Sequence, residues 1–80
     1  MPWDKFVKPE FISLWTRLPS EEKRAITEAM EQLAVNPPKY QPRPVRLMSG
    51  DLLIAVRHYW IQYRLDERTQ RVIFIRLRTE

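Results

Sequence analysis

Nine consecutive residues, Asn36 to Pro44 (NPPKYQPRP), hold four of the seven prolines in this 80-residue chain. Proline fixes φ and offers no N–H, so neither a helix interior nor a central strand can run through this stretch. It divides the chain into halves that must fold by different rules. It is too short to separate two domains, so residues 1–80 are expected to form a single domain. The proline segment then serves as an extended passage from one layer to another.

Before the passage, the apolar period is helical. Phe11, Leu14, Trp15 and Leu18 fall at i, i+3, i+4 and i+7, with Ile12 widening the stripe. Pro9 suits the first turn of that helix, and Leu18-Pro19 ends it. Ser20 is positioned as an N-cap for a second helix, with Glu21 and Glu22 complementing its dipole. That helix carries Ile26, Ala29, Met30 and Leu33 on one face and stops at Asn36-Pro37. Residues 3–7 read as a short strand ahead of the helical hairpin.

After the passage, the period is two. Val45 and Leu47 alternate with Arg46 and Met48, and Ser49-Gly50-Asp51 forms a turn. Strands are expected at Leu52–Arg57, Tyr59–Leu65 and Arg71–Arg78, the last two joined by a polar loop at 66–70. The predicted fold is α+β in the order β-α-α-β-β-β. A helical hairpin packs on one face of a small twisted antiparallel sheet. Strict alternation assigns Leu52, Ile54, Val56, Tyr59, Ile61, Tyr63, Leu65, Ile73, Ile75 and Leu77 to the helix-covered face. The opposite face then gathers Arg57, Trp60, Gln62, Arg64, Phe74, Arg76 and Arg78.

Charge separates the halves as well. Residues 1–40 balance six basic side chains against six acidic ones, whereas residues 41–80 carry eight arginines, no lysine and four acids. Guanidinium groups suit phosphate or carboxylate, and aromatic rings suit unstacked bases. The open sheet face is therefore a candidate platform for RNA, with Arg46, Arg57, Trp60, Arg64, Phe74, Arg76 and Arg78 as its contacts. A bound protein segment covering that face, or cross-strand pairing of Trp60 and Phe74, are the competing readings. The chain has no cysteine and a single histidine, His58. This excludes a disulfide scaffold, a cysteine nucleophile and a multi-histidine metal centre, and no metal or cofactor is expected. No apolar run is long enough to span a membrane and none reads as a signal peptide, so a cytoplasmic protein is expected.

The order of elements, Leu18-Pro19, Asn36-Pro37, "RLMSGD" at 46–51 and "HYWIQYRLDERTQRVIFIRLR" at 58–78 together resemble the RelE/ParE superfamily of bacterial toxins. The resemblance runs through nearly the whole chain. It implies a toxin of a type II toxin–antitoxin pair, wrapped by a cognate antitoxin. RelE-like members cut messenger RNA on the ribosome without metal, by attack of the 2′-hydroxyl on the adjacent phosphate. ParE-like members poison DNA gyrase by protein contact. The RelE-like reading makes Arg57, Arg76, Arg78 and His58 the catalytic candidates; Tyr63 is a weaker proton shuttle and Tyr40 a base-stacking ring. The match departs from the ribonuclease pattern in the middle strands. Trp60 follows Tyr59 where those members place an arginine, and apolar Leu53 and Ala55 stand near their basic positions. Arg78, Thr79 and Glu80 occupy the place of their basic tail. The ParE-like reading, or a catalytically degenerate member that only binds antitoxin, are the alternatives.

Overall fold

In the computed structural model, which describes residues 2–79, the first helix forms at Pro9–Trp15 and the second at Ser20–Val35. Pro9 sits at the start of α1, where its missing N–H costs nothing. Pro19 closes the joint between the helices. Its extended backbone precedes α2, and its carbonyl accepts from the Lys23 N–H at 2.9 Å. Ser20 is thus the first helical residue of α2 rather than its cap, and no side chain caps that end. The fixed φ of Pro19 sets the point where α2 begins, without supplying the side-chain acceptor expected of Ser20.

Five strands follow the chain as β1 (Asp4–Val7), β2 (Val45–Arg46), β3 (Leu52–Val56), β4 (Tyr59–Asp66) and β5 (Arg71–Thr79). They lie in one sheet in the order β1-β5-β4-β3-β2. β2 to β5 run antiparallel, as expected, but β1 pairs with β5 in parallel. The sheet is therefore mixed, not purely antiparallel, and it includes the two-residue strand β2. The helical hairpin returns the chain across one face, which lets β1 lie alongside the last strand in the same direction.

The core lies between the helices and that face. Phe11, Leu18, Ile26, Ala29, Met30 and Leu33 pack against Leu52, Ile54, Ile61, Tyr63, Val72, Phe74 and Leu77. Strict alternation fails at one place. Gln62 pairs with Arg76 but Tyr63 pairs with Phe74, so Ile75 is an extra residue in β5. This β-bulge reverses the faces of β5. Val72 and Phe74 point inward before it, and Leu77 points inward after it. Phe74, expected on the open face, is fully buried, with ring centroids 5.8 Å from Phe11 and 6.4 Å from Tyr63. Ile73, expected in the core, is only partly buried, and Ile75 is buried but lies outside the main cluster. The segment is apolar at both parities, and burying the larger ring decides which parity wins.

The proline passage contains one 3-10 turn, Pro37–Lys39. Pro37 is buried, and Tyr40 packs partly against the core rather than standing loose. Among the described residues no helix is long and apolar enough to cross a membrane.

Candidate functional site

The open face is built from alternate residues of β3, β4 and β5, and register places them in rows. One row is Ala55, Trp60 and Arg78; the next is Val45, Leu53, Gln62 and Arg76. Arg64 follows on the same side of β4, opposite Ile73. Five of the seven residues expected on this face are therefore there: Trp60, Gln62, Arg64, Arg76 and Arg78. Phe74 is not, because of the bulge. Arg57 is not either. It occupies the β3–β4 turn at φ 58° and points its Nε to Glu22 of α2, 3.1 Å away. Arg57 thus faces the helices, held by a carboxylate from the first turn of α2. Arg46 shares a row with Leu52, Tyr63 and Phe74, which puts it on the helix-facing side at the sheet's edge. There it lies 3.4 Å from the Gly50 carbonyl.

Two of the arginines that do reach the open face carry partners. Asp51, only 4% exposed, accepts from Arg64 Nε at 2.8 Å and from Gln62 Nε2 at 2.9 Å. Burial pushes the Asp51 carboxyl up. The hydrogen bonds from Arg64 and Gln62, the Arg64 charge and Ser49 outweigh it and hold the group below its ordinary value of 3.8. Arg76 lies 3.7 Å from Glu10 of α1, both groups well exposed. Arg78 has no ion-pair partner among the described residues. The face is thus less positive than its arginine count suggests, and toward β3 it is apolar: Leu53, Ala55 and the partly buried ring of Trp60 lie beside the buried Gln62.

The proton-transfer candidates are separated by burial. Tyr63 is fully enclosed on the helix side, and its hydroxyl has no hydrogen-bond partner among the described residues. Burial, reinforced by Tyr40 and opposed by Arg46, pushes its pKa to about 12. It cannot exchange protons with anything on the open face. His58 is exposed in the two-residue turn beside Arg57. In the sequence Asp51 reads only as a turn residue, Glu22 only as a helix-dipole partner, and Glu10 only as one of the six acids that balance residues 1–40. Their signal was faint: isolated acids in a basic chain, with nothing local to name their arginines.

This layered sheet is the architecture of toxins from type II toxin–antitoxin complexes. The chain superposes on the RelBE2 toxin–antitoxin complex of Mycobacterium tuberculosis with TM-score 0.83 and 18% identity, covering 100% of this chain and 93% of that one. The intact Escherichia coli RelBE complex gives 0.81 at 15%, covering 98% and 96%. The archaeal RelE–RelB complex of Pyrococcus horikoshii gives 0.76 at 14%, covering 99% and 96%. At such identities the likeness concerns the fold. No curated protein matches the chain. The family described as ParE toxin of type II toxin-antitoxin system, parDE, matches residues 9–80, and the chain belongs to that family.

Proposed function

We propose that this toxin acts by gripping a protein target through its open sheet face, with no phosphodiester chemistry of its own, and that an antitoxin is its neutralising partner. DNA gyrase, the target associated with ParE-like toxins, is the first to test. The observation that carries this reading is an apolar patch on one side of the face. Leu53 and Ala55 of β3 and Trp60 of β4 lie side by side, with Arg76 and Arg78 of β5 flanking them across the sheet, a composition that suits a protein-binding surface. Cleavage of RNA asks for more: positive charge on the phosphate and a group that moves the proton. Arg64 is held by the buried Asp51, arginine stays protonated, and Tyr63 is sealed in the core.

RNA cleavage is the second reading, and Arg78 beside Trp60, with His58 in the adjoining turn, is what favours it. Induced expression in a bacterial host separates the two. The protein-binding reading expects growth arrest with DNA damage and intact messages. It expects arrest to survive His58→Ala and to vanish in folded Trp60→Asp. Codon-positioned cuts in messenger RNA, lost in His58→Ala, would replace it with the ribonuclease. Absence of arrest would leave a member that only binds antitoxin.

A further inference from the structure

The open face continues past the patch that carries the functional reading. Ala55 and Trp60 form one row, and Val45 and Leu53 the next. Leu47 extends that side of β2 by one more step, its N–H donating to the Asp51 carbonyl at 2.8 Å. Val45 and Ala55 are exposed, and Leu47, Leu53 and Trp60 are partly buried. This apolar stripe ends at the turn between β2 and β3. There the Gly50 N–H donates to the Leu47 carbonyl at 2.9 Å, which makes Met48 and Ser49 the central residues of a tight turn. Gly50 takes the left-handed φ of 93° that completes a three-residue hairpin loop. The Ser49 hydroxyl accepts from the Asp51 N–H, and Arg46 reaches the Gly50 carbonyl, both at 3.4 Å. The turn is thus braced from within, and Met48 is fully exposed at its tip.

Turn positions of this kind are ordinarily filled by Gly, Pro, Asn, Asp or Ser. Met48 takes no part in the core, so the fold does not ask for a thioether there. Met30, by contrast, is 9% exposed and packs inside. A long, adaptable apolar side chain at the end of an exposed apolar stripe suits contact with another protein. We propose that Met48 is the outermost contact of the target-gripping face and a site of reversible oxidation that loosens the grip; this rests on the protein-target reading above. The partner surface it fits is apolar opposite Met48 and the stripe, and acidic opposite Arg78. Hydrogen peroxide supplies the oxygen. The sulfur lone pair attacks one peroxide oxygen and the O–O bond breaks. The hydroxide released takes the proton from the new S–OH group and leaves as water. The thioether has lost two electrons and peroxide has gained them. The sulfoxide is polar and chiral, and no longer suits an apolar contact. A sulfoxide reductase driven by a dithiol reverses the step, giving back thioether and water and leaving the dithiol as a disulfide.

The test treats the full chain with hydrogen peroxide, removes the peroxide, and measures affinity for the gyrase holoenzyme. Peptide mass spectrometry is expected to find one added oxygen on Met48 well before Met30 reacts. Affinity is expected to fall about fivefold or more as Met48 converts, with the melting temperature unchanged, and to return after sulfoxide reductase and dithiothreitol. Met48→Gln, polar from the start, is expected to bind as weakly without any peroxide. Met48→Leu, which cannot take up the oxygen, is expected to lose the response. Full conversion of Met48 with unaltered affinity, or Met48→Gln binding as wild type, overturns the contact and leaves the gyrase reading standing. A peroxide response that persists in Met48→Leu, or that tracks a falling melting temperature, places the effect elsewhere and overturns the assignment. Failure of the untreated chain to bind gyrase overturns the functional reading itself, and the Met48 contact falls with it.

Discussion

Strand β4 faces two environments at once. Ile61 and Tyr63 point to the helices and are fully buried; Trp60 and Arg64 point the other way and keep contact with solvent. The inner side is held by shape, through rings and branched chains that exclude water. The outer side is held by charge, through Asp51 under Gln62 and Arg64 and Glu10 beside Arg76. Hydrophobic periodicity reads the first kind of surface well. The second depends on acids supplied from other elements, so a count of arginines overstates the positive charge left for a ligand.

Substitutions on the two sides should differ in size. Phe74→Ala opens a void between Phe11 and Tyr63 and is expected to cost about 3–5 kcal/mol in chemical denaturation. A much smaller loss would mean that the bulged strand repacks. Asp51→Asn weakens the one charged anchor buried on the outer side, at about 1–3 kcal/mol. Asp51 titrates lower in the fold than its ordinary 3.8, so its contribution is complete above that value and fades as pH falls through the folded-state value beneath it. Wild type should therefore lose stability more steeply than Asp51→Asn on going from about pH 5 to pH 2; parallel curves would discount the anchor.

Tyr63→Phe deletes an unpartnered hydroxyl and should change stability at neutral pH by less than about 1 kcal/mol. The tyrosine favours the fold fully below its ordinary 10.0, and that contribution is lost as pH climbs through about 12. Denaturation across this alkaline range should be flatter in Tyr63→Phe, and an unaltered slope would mean the hydroxyl reaches water. Arg57→Gly sets two opposed effects against each other. It relieves a left-handed residue while leaving the Glu22 carboxylate, whose side chain is only 13% exposed, without its arginine, and the net loss should stay below about 1 kcal/mol. A larger loss would rank the turn with the buried anchors.

These contrasts mark what the chain discloses before it folds. The helix stripes, the proline passage and the three long strands stand out because each has a period, and periods are local. The reversal at Ile75 did not stand out, yet residues 72–75 are apolar at both parities while Arg76 and Arg78 share one. Only a shift of register between Phe74 and Leu77 buries both of those and exposes both arginines. The positions of Arg57 and Arg46 were hidden for another reason. A turn residue at positive φ belongs to neither face of its strand, and a two-residue edge strand gives too little alternation to orient. The parallel partnership of β1 was hidden too, since four residues with weak alternation do not say which neighbour they will choose.

That partnership has a consequence for timing. The first strand to leave the ribosome has no mate until residues 71–79 emerge, because β5 alone joins it to the remaining sheet. Val72, Phe74 and Leu77 arrive with that same late segment, so the nascent chain lacks part of its core until then. Closure of the sheet therefore waits on residues 71–79, and a chain made only as far as β4 holds its opening strand without a mate.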